Sequence, residues 1–175
     1  MRRPPLHIAI AVIALTASSW LAIPMVPVPI TLQTLAVLLA GALLGPVRSA
    51  AAVAMWLALG AAGLPVFAGG SGGVAVLLGK TGGYLLAFPF AAMLVGWLTM
   101  RGGSASFLRA TGTMLAGHGL CLAIGGLWLA AAIGGPAAWS GGVVPFLPGA
   151  LLKSLAGAAI LHGFRFATPR ATEPA

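Results

Sequence analysis

The chain has 175 residues, of which 60% are hydrophobic and only 6% charged, and its formal net charge is +8. Soluble domains carry about 25% charged residues, and a globule of this length still exposes much of its surface, so a soluble fold is excluded. The positive charge then reports membrane topology and not a nucleic-acid partner.

The apolar runs are continuous and lack the alternation of an outer-membrane barrel. About 20 residues of helix cross a bilayer. The sequence therefore predicts an all-α membrane protein, a bundle of six transmembrane helices near 6–23, 30–45, 47–63, 83–100, 107–133 and 143–164. Residues 1–167 form one membrane domain in this reading, and 168–175 a disordered cytoplasmic tail.

The first run follows Met1-Arg2-Arg3, as a secretory leader would. Pro24, Pro27 and Pro29 end it, and five further spans need a partner helix, so it reads as a retained span. The second run is short. Gly45-Pro46 closes it in a tight turn, since proline cannot continue a helix and glycine suits its end. With the N-terminus inside, Arg2, Arg3, Arg48, Arg101, Arg109, Arg165 and Arg170 all fall in inner segments, seven of the nine basic residues. The positive-inside rule then places both termini in the cytoplasm. Two lysines stand apart, Lys80 in an outer loop and Lys153 within the sixth run. The one acid of the chain is Glu173, in the tail.

Small residues recur at four-residue spacing, one face of a helix. Ala50, Ala54, Ala58 and Ala62 mark span three, and Thr113, Gly117, Cys121 and Gly125 mark span five. Such faces let helices approach closely in lipid, and for these two spans internal packing is the expectation. Ala14, Ser18 and Ala22 mark span one, where the face either packs inside or docks a partner membrane protein. Trp20 and Trp139 fall near outer span ends, where amphipathic rings are common.

The stretch Gly60–Phe90 is dense in glycine and carries Ser71, Lys80, Thr81 and Tyr84. Glycine lets backbone reach φ > 0 and approach a ligand closely. The stretch is either a binding loop laid over the bundle or a plain connector. Lys153 is a cation near mid-membrane with no carboxylate in any span. A ligand anion, a water-filled cavity, a shifted pKa or snorkelling to an interface would each account for it. His118, flanked by Gly117 and Gly119, is either a buried, hydrogen-bonded histidine or a ligand contact. His7 and His162 lie toward span ends. Thr31, Gln33 and Thr34 open span two and either satisfy its free backbone groups or face a cavity.

Gly69-Gly70-Ser71-Gly72-Gly73 fits G-x-S-x-G, and its first four residues fit the motif of rhomboid intramembrane proteases. A serine nucleophile needs a base within hydrogen-bond reach. His162, near the inner end of span six, is roughly 28 Å from the outer face at about 1.5 Å per residue, and His118, mid-membrane, is not obviously closer than half that. In a chain with 26 glycines the match is weak. The reading is of a protein without catalytic residues. No metal, phosphate-binding or cofactor pattern is present, and the lone Cys121 excludes an internal disulfide.

Several motifs together resemble the BioY family, the biotin-binding S components of energy-coupling-factor (ECF) transporters. They are Val26-Pro27-Val28-Pro29-Ile30-Thr31-Leu32-Gln33-Thr34, Ala40-Gly41-Ala42-Leu43-Leu44-Gly45-Pro46, the run Gly63–Gly73, Thr81-Gly82-Gly83-Tyr84, and Pro145-Phe146-Leu147-Pro148-Gly149. The resemblance runs from about Val26 to Lys153 in order and spacing. It implies a six-helix bundle in the bacterial inner membrane, with a biotin pocket on the outer side capped by the loops after spans one and three. It also implies a transmembrane T subunit and a pair of ATP-hydrolysing subunits as partners, since the chain has no P-loop of its own. A BioY-like binder of another small anionic vitamin or precursor is the alternative within that class.

The resemblance carries Ser71, Tyr84 and Lys153 over as pocket residues, and the readings above add Gln33, His118 and Lys80. It also favours Ala14, Ser18 and Ala22 as the face that docks the T subunit. The chain departs from the family at Gly149-Ala150-Leu151-Leu152-Lys153, where the usual pattern is Gly-Asp-x-x-Lys. Ala150 would cost a polar ligand group its charge-assisted acceptor. Lys80 stands where the family usually has proline.

Overall fold

The structure, a computed structural model, describes residues 4–167. The tail proposed for 168–175 lies outside the described residues. Six longer helices dominate: α1 (Pro4–Trp20), α2 (Gln33–Leu44), α3 (Pro46–Ala61), α5 (Gly82–Leu98), α6 (Phe107–Ile133) and α8 (Phe146–Ala167). Two short helices, α4 (Val74–Leu78) and α7 (Gly135–Ala138), lie in connections. Three apolar stretches are long enough to cross a membrane, Gly82–Gly103, Phe107–Ile133 and Gly135–Gly163. The helices within Leu6–Trp20, Gln33–Leu44 and Pro46–Ala61 are shorter.

Helix α5 is the centre. It packs against α2, α3 and α6, while α1 covers α2 and α3, and α8 covers α6. A helix apolar on every side belongs inside, and α5 buries Tyr84, Leu85, Ala87, Phe88, Ala91, Ala92 and Val95. Its partners bring Val37 and Leu38 from α2, Val53 and Trp56 from α3, and Met114 and Cys121 from α6 into one core. The close crossing of α2 and α5 needs Gly41, because a Cβ there would strike the Ala92 carbonyl.

Between α1 and α2 the chain makes a small hairpin, β1 (Ala22–Ile23) against β2 (Ile30–Thr31), with Ala22 opposite Thr31. The prolines of this loop lack backbone donors and hold φ in the extended range. They end α1 early, so Ala22 lies beyond the helix and does not continue the face of Ala14 and Ser18. That face was expected to reach residue 22. On α1 the inward residues are instead Ala11, Leu15 and Ser19.

The expectation for span three is also corrected. Ala54, Ala58 and Ala62 are exposed on the isolated chain, and Ala50 is half-buried. The buried face of α3 is Ser49, Val53, Trp56 and Gly60. Trp56 turns inward to meet Phe67 edge-on at 5.0 Å and Phe88 in a stack at 6.3 Å, and that carries the alanines outward. On α6 the small face is buried as expected, at Thr113, Gly117, Cys121 and Gly125.

Candidate ligand-binding site

One end of the bundle holds a cavity of about 150 Å³. It lies beside the hairpin, at the starts of α2, α5 and α8. Arg48, Arg101 and Arg109 lie in the turns at the other ends of α2 and α5 or just after.

Lys153 sits seven residues into α8, about 10 Å along the axis at 1.5 Å per residue. Its Nζ donates to Thr34 Oγ1 at 2.8 Å and to Thr31 O at 3.1 Å. The sequence reading left this cation without a protein partner. The structure supplies two neutral ones, because the β2–α2 junction faces α8. An ammonium has three donors, so one is left over by these two bonds, on a residue that lines the cavity. No carboxylate lies among the described residues, and a cation in the membrane costs about 2.5–3.5 kcal/mol even by the lower scales. Lys153 is the one charged residue among those that line the cavity.

Gln33 is buried beside it. Its Oε1 accepts from Thr31 Oγ1 at 3.1 Å, which orients the amide and leaves Nε2 with no partner. A buried, unmet donor is costly, and this one belongs to a residue of the cavity wall. His118, on α6, is buried too. Its Nδ1 lies 3.0 Å from Met114 O and 3.0 Å from Ser154 Oγ, and its Nε2 has no partner.

Ser71 lines the cavity from the glycine-rich loop. Its hydroxyl donates to Ala68 O at 2.8 Å, and its carbonyl accepts from Phe67 N at 2.9 Å. Gly69 (φ 64) and Gly70 (φ 76) make the turn between them possible. Tyr84 lines it from α5. Its hydroxyl is committed to Gly142 O at 2.7 Å, and its ring stacks on Phe146 at 6.0 Å. Ala150 contributes only a buried methyl.

Six of the seven residues singled out in the sequence therefore converge: Lys153, Ser71, Tyr84, Gln33, Ala150 and His118. Lys80 does not. It is exposed, just past α4, and off the cavity wall. Sequence reasoning missed Ser154, which follows Lys153 and holds His118 across the helix interface. It also missed the apolar wall of Phe67, Phe88 and Phe146. Their signal was present in part, since Phe67 opens the glycine-rich run. Trp20 was read as an interface ring, and its Nε1 donates to Pro65 O at 3.1 Å, tying α1 to the loop after α3. Trp128 does the same for the end of α4, donating to Gly79 O at 2.9 Å.

The wall suits a small ligand with an apolar body and polar ends. Ser71 and His118 share it, yet each has other hydrogen-bond partners, so the nucleophile and base of a serine protease are not paired here. The family model described as BioY matches residues 3–170.

The chain belongs to the BioY family.

Among relatives of this BioY chain, the biotin transporter BioY of Rhizobium etli is 34% identical over 176 residues, covering 93% of this chain and 94% of that one. The biotin transporter BioY of Rhodobacter capsulatus is 39% identical over 147 residues, with 75% and 77% covered. A crystal structure of the S-component for biotin from an ECF-type ABC transporter matches with a TM-score of 0.83 and 31% identity. It covers 94% of this BioY chain and 91% of that chain.

Proposed function

We infer that this BioY chain is the substrate-binding S component of an ECF-type vitamin importer, and that its substrate is biotin. The chain binds ligand and moves relative to its partners. A transmembrane T subunit and two ATP-hydrolysing subunits supply the energy. The observation that carries this reading is the match, over nearly the whole chain, to an S-component for biotin. The cavity chemistry supports it. Lys153 and Gln33 offer donors to carbonyl or carboxylate oxygens, while Phe67, Phe88 and Phe146 offer surface to the hydrocarbon part. Ser71, Tyr84, Ala150 and His118 complete the pocket in this proposal. A small-residue face on α1 around Ala14 and Ser18 meets the T subunit.

In this reading all six longer helices cross the bacterial inner membrane, with both termini in the cytoplasm. The arginines at the end opposite the cavity support that orientation. Cysteines at Leu78 and Ser140, both exposed, are expected to react with an impermeant reagent added from the periplasm, and one at Ala105 is not. Labelling of Ala105 from outside would invert the topology.

The test of the site is labelled-biotin binding to the purified protein and its Lys153→Met variant. Removing a charged hydrogen-bond donor costs about 1.5–3 kcal/mol, a loss of roughly 10- to 100-fold in affinity. Insertion survives, since the substitution removes a membrane charge. Unchanged binding would sink the assignment of Lys153. The lack of any carboxylate in the wall favours one second reading, a different small anionic vitamin. Displacement of biotin by such a compound at lower concentration than by biotin itself would establish it. The protease reading predicts that Ser71→Ala abolishes all activity, whereas a binding role predicts only weaker uptake.

A further inference from the structure

The segment from Gly63 to Gly73 carries Phe67, Ala68 and Ser71 into the cavity wall. Its backbone bonds either close within it, as from Phe67 N to Ser71 O at 2.9 Å, or return to α3, as from Gly73 N to Gly60 O at 2.7 Å. Among the described residues one hydrogen bond ties it to a different helix. Trp20, the last residue of α1, donates from Nε1 to Pro65 O at 3.1 Å. Trp20, Leu64 and Pro65 are all exposed, so this bond lies on the outside of the bundle. The ends of the segment are open too, since a Cβ on Gly63 or Gly73 would meet nothing within 4 Å. One indole on α1 thus pins, from outside, a loosely bounded segment that forms part of the cavity wall.

We propose that Trp20 is a positioning residue, the latch that holds this segment closed over the cavity and so sets how fast ligand enters and leaves. This rests on the biotin reading above for the identity of that ligand. Trp20 does not itself line the cavity. Breaking its bond therefore eases opening and leaves the contacts to ligand in place. Entry and release both pass through the open segment, so both rates rise together and affinity stays.

The test uses the full chain in lipid nanodiscs and two readouts. The first needs no ligand. Cys121 is the single cysteine of the chain, lines the cavity and is 2% exposed, so its rate of reaction with a small thiol reagent reports opening. The second is the association and release of labelled biotin. Trp20→Phe keeps a ring and removes the N–H. It is expected to speed Cys121 labelling, biotin association and biotin release each by about 2- to 10-fold, the worth of one neutral hydrogen bond, with Kd within about twofold of the native value. Trp139→Phe, which removes another exposed indole just past α7, is expected to change none of the three. A merely structural role for Trp20 would weaken affinity without speeding association. Faster release at the native association rate would overturn the proposal, since Trp20 would then act on bound ligand. Native rates in Trp20→Phe would overturn it as well, as would equal acceleration in Trp139→Phe. Faster Cys121 labelling in Trp20→Phe, with no biotin bound even by the native protein, would refute the biotin reading and leave the latch standing.

Discussion

Helices α6 and α3 both carry small residues at every fourth position, and they place them on opposite sides. On α6 the face Thr113, Gly117, Cys121 and Gly125 is buried. On α3, Ala54, Ala58 and Ala62 are exposed. The difference lies in what stands opposite. A Cβ on Gly117 would press into Leu38 and Val95, and one on Gly125 into the ring of Tyr84. Glycine there is a notch that a large neighbour fills. On α3 the large residues, Val53 and Trp56, belong to the helix itself and take the interior. Burial of oil gives no drive in lipid, so close packing decides. Small-residue spacing thus marks a smooth face, and the bulk of the neighbours decides which way it turns.

The sharpest way to break this contrast is to fill a notch. Gly125→Leu would drive its side chain into Tyr84, the wall of the cavity. Overpacking costs about 1–3 kcal/mol, and here it also displaces a ring that binds Gly142. The expected result is a lower melting temperature in detergent together with loss of biotin binding. A variant that keeps both would show that the notch is not filled by Tyr84.

A smaller change tests the same contact from the other side. Tyr84→Phe keeps the ring in the Gly125 notch and its stack on Phe146, while it removes the bond to Gly142 O. One neutral hydrogen bond is worth about 0.5–1.5 kcal/mol. The melting temperature is expected to fall by a few degrees, roughly in line with that cost. Biotin affinity is expected to change little, because the hydroxyl is already spent inside the protein. A large loss of affinity would mean that the hydroxyl also meets ligand.

These contrasts show where the sequence was readable. Helix positions followed from apolar length, and each expected span overlaps an observed helix, while three apolar stretches of the described residues are long enough to cross a membrane. The hairpin at residues 22–31 was not readable, since two-residue strands have no periodicity of their own. Much of the pocket could be read because polar residues are rare in so apolar a chain. Lys153, Gln33 and His118 stand out for that reason alone. Ser154 does not, because serine in a helix usually bonds its own backbone, and its partner lies on another helix, 36 residues away. Lys80 stood out equally and lies elsewhere, since rarity marks a residue without saying where its loop turns. The inward turn of Trp56 depends on Phe67 and Phe88 beyond the end of α3, so no local spacing could reveal it.

The smallest effects on the isolated chain are expected from the exposed faces, and they carry the contrast to partner binding. Ala14 is exposed on α1 and borders an apolar groove of about 390 Å³ shared with α2. Ala54 is exposed on α3. Neither Ala14→Leu nor Ala54→Leu adds bulk to the core, so both variants are expected to melt within about 0.5 kcal/mol of the native protein and to bind biotin normally. They should differ in company. If α1 meets the T subunit, Ala14→Leu roughens the docking face and lowers recovery of the T and ATP-hydrolysing subunits on affinity purification. Ala54→Leu should leave that recovery intact. The reverse pattern would move the docking face to the alanines of α3. Equal loss of partners and of biotin binding in Ala14→Leu would mean that the α1 face is internal packing after all.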